Sequence, residues 1–357
     1  MRFDLSADQE ALASALDTLL QRECSRERLR AAIDGGTGVD EQLWGALAGM
    51  GLFGIALPEE VGGAGGGLLD LAVAMEALGS AAAPVPILEH VLATAAVART
   101  GSPEQLEQWL PPLLAGERRC TLATLADDLI WEPGRWSSRP DRPLVGTATA
   151  VLGAATADSL LVGLDHGFAL VHLRDPAVTV EPLEVLDLTR RISRVRLDGP
   201  DYELLKASPD ATSWIRDAAL VLFAADAAGG AAHCLSTAVD YATTREQFGV
   251  TIGHFQAVKH RIADMALDVE PARTLYWYAA HAVDTDSEDG PRAAALAKAH
   301  LTETYVSTAR KAIEVHGGIG YTWECDLHIW LKRAILDRAQ FGSPRVHRAR
   351  VAALSEW

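Results

Sequence analysis

Two segments of this 357-residue chain carry residues able to hold an anion. The first is Arg245-Glu-Gln-Phe-Gly-Val-Thr-Ile-Gly-His-Phe-Gln256, which reads as the end of one helix and the start of the next. A fixed guanidinium beside a glycine turn is good equipment for a phosphate. The same pattern also suits a plain helix–helix turn with a capping arginine. The second is Glu314-Val-His-Gly-Gly-Ile-Gly-Tyr-Thr-Trp-Glu324. Gly317, Gly318 and Gly320 let the backbone approach a ligand closely and expose N–H groups. A helix end by itself needs only one glycine.

Other reactive residue types read more plainly. His233, His254, His260 and His316 show no metal spacing with carboxylates, so they read as packing or surface, and no metal is expected. Cys24, Cys120, Cys234 and Cys325 form no CxxC pair, which argues against a zinc cluster or a disulfide framework. Trp323 and Trp330 lie two helical turns apart and read as bundle core or subunit interface. Arg345, Arg348 and Arg350 read as a solvated helix face.

The elements that must position these residues fall into three regions. Residues 1–118 read as an N-terminal helical domain. Ser6 begins like an N-cap, and Leu12, Leu16, Leu19 and Leu20 follow at helical spacing. Helices are also expected over 43–50, 68–78 and 87–99, with a glycine-rich loop from Pro58. Residues 119–207 carry short apolar runs bounded by Gly, Asp or Pro at 144–152, 159–164, 168–173 and 192–197, which predict a middle β domain. Residues 208–357 return to helices. Phe255, Val258, Ile262, Met265, Val269, Ala272 and Leu275 predict one long amphipathic helix over 255–276, and a second is expected over 292–315. This order suggests a mainly α protein with an inserted β-barrel or sandwich and a C-terminal helical bundle.

Composition narrows the function classes. The 32 Lys+Arg stand against 48 Asp+Glu, a net charge of −16, and no basic block is visible, which opposes nucleic-acid binding. A hydrophobic fraction of 49% is enough for a large core. No membrane span is expected, because the longest apolar run, 218–232, is interrupted by Asp226, Gly229 and Gly230. The start MRFDLSADQE turns acidic at once and does not read as a signal peptide, so a cytoplasmic location is expected.

Taken together, these motifs resemble the acyl-CoA dehydrogenases, over nearly the whole chain. The resemblance rests on Leu52-Phe-Gly-Ile-Ala-Leu-Pro-Glu-Glu-Val-Gly-Gly, Leu113-Leu-Ala-Gly-Glu and Ala157-Asp158. It also includes Arg245-Glu-Gln-Phe-Gly with Phe255-Gln-Ala-Val-Lys-His, and His316-Gly-Gly-Ile-Gly-Tyr. It implies an N-terminal helical domain, a middle β domain, a C-terminal four-helix bundle and FAD held across a subunit interface. It further implies that Arg245, Phe248, Gln256 and Glu314, with Gly317 and Gly318, meet the adenine and pyrophosphate end of a neighbour's FAD. Glu314 stands where the family usually has Gln.

The same resemblance shows what is missing. The family reaction needs a carboxylate base within reach of the α-proton. The position that would carry it is Phe341, in Gln340-Phe-Gly-Ser343. The alternative family position falls near Ala219, two residues from Asp217 and on a different side of the helix. The flavin-ring segment Leu122-Ala-Thr-Leu-Ala-Asp-Asp128 lacks the Gly-Ser turn, and Leu152 replaces a hydroxyl. The expected protein is therefore a non-catalytic subunit of a heteromeric acyl-CoA dehydrogenase, like those of actinobacterial steroid side-chain degradation. It would lend half of an FAD site to a paralogous catalytic subunit, with an acyl-CoA substrate and an electron-transfer flavoprotein as further partners. The alternatives are a homotetramer with a relocated base such as Asp217, and a flavin-free scaffold of the same fold.

Overall fold

The computed structural model describes residues 4–36, 38–126, 129–132, 136, 143–165 and 167–355. Six helices come first: α1 (Ala7–Glu23), α2 (Arg26–Asp34), α3 (Glu41–Gly49), α4 (Leu68–Ser80), α5 (Ile87–Thr100) and α6 (Pro103–Leu114). Ser6 caps α1 with Gln9 in a reciprocal capping box, and Ser102 does the same for α6 with Gln105. Gly51 (φ +72°) ends the α3 region, as its position after Met50 predicts.

Seven strands follow: β1 (Cys120–Ala123), β2 (Val145–Leu152), β3 (Ser159–Leu164), β4 (Gly167–His172), β5 (Val178–Pro182), β6 (Ile192–Asp198) and β7 (Tyr202–Leu204). They form two sheets, ordered β1-β3-β4-β7 and β2-β6-β5. β3 is buried along its whole length, because one face meets the other sheet through Leu160 and Val162 while Leu161 faces the helices. β6 alternates after its first residues, with Val195 and Leu197 inward and Arg194 and Arg196 outward.

The remaining helices are α7 (Pro209–Thr244), α8 (Gln256–Val269), α9 (Arg273–Asp284), α10 (Gly290–His316), α11 (Leu327–Ala339) and α12 (Pro344–Leu354), with the hairpin β8 (Glu246–Gln247) and β9 (Val250–Thr251) between α7 and α8. The single helix expected over 255–276 is instead two, α8 and α9, parted at Pro271. Proline has no N–H to continue the ladder and clashes with the preceding turn. The helix expected over 292–315 is α10.

α7 is the central post of the bundle. By length and composition alone it is apolar enough to cross a membrane, yet 89% of its most apolar window is buried inside the protein. Asp226, Gly229 and Gly230 do not interrupt it. A side chain on Gly229 would fall 1.8 Å from the Glu76 carbonyl, and one on Gly79 would fall 2.2 Å from the Asp226 carbonyl. These glycines let α4 and α7 cross backbone to backbone. Gly230 leaves room for the ring of Tyr305 on α10.

A buried ion network then ties the three regions together. Arg190, just before β6, pairs with Asp226 of α7 at 2.8 Å and with Asp337 of α11. Arg333 of α11 pairs with the same Asp226 at 2.6 Å and donates to the carbonyl of Ala83 and the hydroxyl of Thr189. Burial would push Asp226 up, but Arg190 and Arg333 together hold it well below the usual carboxylate range. Burial pushes Asp337 well up, beside the charge of Asp226.

Candidate functional site

α7 ends at Thr244, and the N–H of Arg245 closes its last turn on the carbonyl of Tyr241 at 2.9 Å. The hairpin that follows turns on Phe248 (φ +56°) and Gly249 (φ +77°). Two consecutive positive φ values give the tight turn that matches the twist of a two-stranded ribbon. The Phe248 ring is 93% exposed, with only an edge contact to Phe255 at 6.2 Å between centroids. Arg245 and Gln256 are exposed, and Arg245 has no ion-pair partner among the described residues.

α10 ends at His316, and Gly317 takes φ +64°. A side chain built on Gly317 or Gly318 would meet nothing within 4 Å, so open space lies over both. Gly320 differs: a Cβ there would fall 2.4 Å from the Ile313 carbonyl, so this glycine serves packing rather than ligand approach. The two segments adjoin. Tyr241 stacks on His316 at 4.1 Å, and Arg261 of α8 pairs with Glu314 at 3.0 Å. That ion pair offsets the charge of Glu314, a carboxylate that would otherwise repel a diphosphate. An unpaired guanidinium, two open glycines and a projecting aromatic ring suit the phosphate and ring of a nucleotide.

The other half of the expected site is closed. Phe341 is 4% exposed, with φ +58°. Its ring lies 5.7 Å from Trp131 and 5.5 Å from Phe223. Leu152 is buried, and its carbonyl accepts from the Thr121 hydroxyl. A Cβ on Gly153 would fall 2.6 Å from the Glu89 carboxyl. Asp127 and Asp128 lie outside the described residues. Beneath Phe341, the Lys298 ammonium donates to the Asp337 carbonyl at 2.6 Å, and burial pulls it down to about 7.

Asp217 is buried and held by Arg216 at 2.9 Å and by Arg350 at 2.8 Å. A carboxylate committed to two guanidiniums is poorly placed to take a substrate proton. Arg350 therefore belongs to a buried pair, whereas Arg348 fits the solvated-face reading, pairing with Glu303. His233 stacks on Trp330 at 3.9 Å, and burial pulls this histidine down to about 4, as a packing role requires. Trp330 is core, and Trp323 is exposed.

Two larger openings were not foreseen. A cleft of about 610 Å³ between α1, α4, α7 and α11 is lined by Asp17, Tyr241, His316 and Trp330. A groove of about 540 Å³ runs between α10 and α11, beside Tyr321 and Trp323. The buried network of Arg190, Asp226, Arg333 and Asp337 was also missed. Its one signal was Asp226 itself, since a carboxylate inside an apolar helix demands a buried cation.

Comparison with known proteins places this arrangement. Residues 6–117 match the family model described as the acyl-CoA dehydrogenase N-terminal domain, and residues 220–355 match its C-terminal domain. The chain is 33% identical to Acyl-CoA dehydrogenase IpdE2 of Mycobacterium tuberculosis over 339 residues, covering 95% of this chain and 94% of that protein. Among solved structures it is similar to the ChsE4-ChsE5 complex from Mycobacterium tuberculosis, with a TM-score of 0.91 at 30% identity, covering 99% of this chain and 98% of the other. It is also similar to a steroid acyl-CoA dehydrogenase, Tcur3481-Tcur3483, with a TM-score of 0.86 at 30% identity and 97% of each chain covered.

Proposed function

The chain belongs to the acyl-CoA dehydrogenase family, and from that premise we propose that it is the non-catalytic subunit of a heteromeric, FAD-dependent acyl-CoA dehydrogenase. The observation that carries the reading is an asymmetry within one chain. At the position the resemblance gives to the base stands Phe341, stacked on Trp131 and tilted against Phe223, while Arg245, Gly317 and Gly318 stand open. Phenylalanine takes no proton, and its ring stack leaves no carboxylate at that point.

In this reading FAD, bound mainly by a paralogous subunit, would supply the hydride acceptor for α,β-dehydrogenation of an acyl-CoA thioester. Arg245 of this chain would hold the pyrophosphate, the Gly317–Gly318 turn would let the backbone approach it, and Phe248 and Gln256 would lie at the adenine end. Arg261 keeps Glu314 from opposing the phosphates. The paralogous subunit supplies the glutamate base, and this chain alone does not turn over. The division into units at 1–118, 119–207 and 208–357 belongs to the same proposal. Similarity to a steroid acyl-CoA dehydrogenase supports a bulky acyl group such as a steroid side-chain thioester. An electron-transfer flavoprotein is the electron acceptor in this scheme.

Native mass spectrometry of the chain captured from its own cells tests this. The expected result is two different chains in equal number with one FAD per pair. A homotetramer carrying one FAD per chain overturns the reading, as does full dehydrogenase activity of the lone chain.

A further inference from the structure

The groove between α10 and α11 sets two cations beside two exposed aromatic rings. Arg310 on α10 and Lys332 on α11 line it, and neither pairs with a carboxylate among the described residues. Two unpaired cations in one groove are a local concentration of positive charge in a chain of net charge −16. The Lys332 ammonium sits 4.5 Å over the Trp323 ring. Glu314, on the same wall, is already neutralised by Arg261. Tyr321 and Trp323 are 76% and 68% exposed. Both ring nitrogens of His328 are buried without a hydrogen-bond partner, and the ring meets Trp323 edge-on at 4.5 Å. A buried imidazole without partners is costly until something supplies them.

Exposed Trp and Tyr beside an unpaired Arg are residue types enriched at interfaces. The groove also continues the face of the glycine turn, since Glu314 and Gly320 line it. We propose that this groove seats a segment of the paralogous subunit that presents a carboxylate flanked by apolar side chains. The carboxylate lies between Arg310 and Lys332, and the apolar neighbours cover Tyr321 and Trp323. The inference rests on the heteromeric reading above and adds what the partner must look like. A second copy of this chain fits poorly, because two such grooves face to face would set like charges against each other.

The test uses the complex purified from its own cells. A carbodiimide joins an amine directly to a carboxylate already in contact. The expected product is Lys332 joined to an Asp or Glu of the other chain, read by peptide mass spectrometry. The double variant Arg310→Glu with Lys332→Glu raises the dissociation constant of the complex at least tenfold at low salt, with the melting point of the lone chain unchanged. Lys332→Arg keeps the affinity and abolishes the cross-link. A complex whose affinity ignores the charge reversal and gives no Lys332 link to the other chain overturns the groove and leaves the heteromer standing. A Lys332 link to a second copy of this chain, or a nucleotide or inorganic anion found bound in the groove, also overturns it. Finding no second chain overturns the heteromeric reading and the groove together.

Discussion

Phe341 holds its left-handed backbone against a steric penalty of roughly 1–2 kcal/mol for a side-chain-bearing residue. What offsets it is the burial of a whole aromatic ring between Trp131 and Phe223. Phe341→Ala is therefore expected to lower stability by about 3 kcal/mol, read from the denaturant midpoint, without changing the FAD content of the assembly. Arg245 is the opposite case, exposed and unpaired. Arg245→Ala is expected to leave the melting point of the chain within about 1 °C, since surface changes away from packing cost little. The FAD occupancy of the assembly should fall at least tenfold, about the loss of one charge-assisted contact to a phosphate. Unchanged flavin absorbance per complex would instead favour a flavin-free scaffold. Asp217→Asn separates the relocated-base reading from ours: turnover of the assembly should stay within twofold while the melting point drops, because Arg216 and Arg350 lose their carboxylate.

At the scale of elements, the molecule depends on how closely α4 and α7 approach. Gly79 and Gly229 lie where each helix presses on the other's backbone. A methyl group at Gly229 has no flexible side chain to displace, only the Glu76 carbonyl at 1.8 Å. Gly229→Ala, which in an exposed helix would be mildly stabilising, is expected to lower stability by about 3 kcal/mol or more. Thermal unfolding should show a lower midpoint for Gly229→Ala, whereas Gly45→Ala on α3, with open space around it, should not. The hairpin β8–β9 is the other element with a clear purpose. It is too short to bury anything, and its turn holds Phe248 out in solvent.

For the whole molecule, buried titratable groups set the pH range of stability. Burial pulls His90, His233 and His347 each down to about 4. Below the ordinary histidine value of 6.5 the unfolded chain binds protons that these folded rings refuse. The contribution of these histidines should thus be full above pH 6.5 and be lost as pH drops towards 4. Urea midpoints measured from pH 7 to 4.5 should fall accordingly, and a flat profile would show that these rings are accessible. Arg190 and Arg333 add a second global constraint, since one network joins the β region, α7, α11 and the loop at Ala83.

The sequence by itself determined the helical, β, helical order, the family and the residues of the candidate half-site. Those follow from local signals: the Ser6 cap, the period of Leu12 to Leu20, the alternation in β6, and the Arg245 and Gly317–Gly318 motifs with their spacing. Pro271 was also readable as a break, yet the apolar period across it continued and concealed the division. Only the tertiary structure decided which glycines face open space and which face a carbonyl, because that depends on what another helix brings near. Gly229 and Gly230 are neighbours in sequence, yet one faces the Glu76 carbonyl of α4 and the other the Tyr305 ring of α10, whereas Gly45 faces open space. Likewise Asp226 read as an interruption of an apolar run, and became the centre of an ion network only once α11 and the β region supplied Arg333 and Arg190. Pairings across 36 and 107 residues leave no periodic trace along the chain, so they become visible only when the chain has folded.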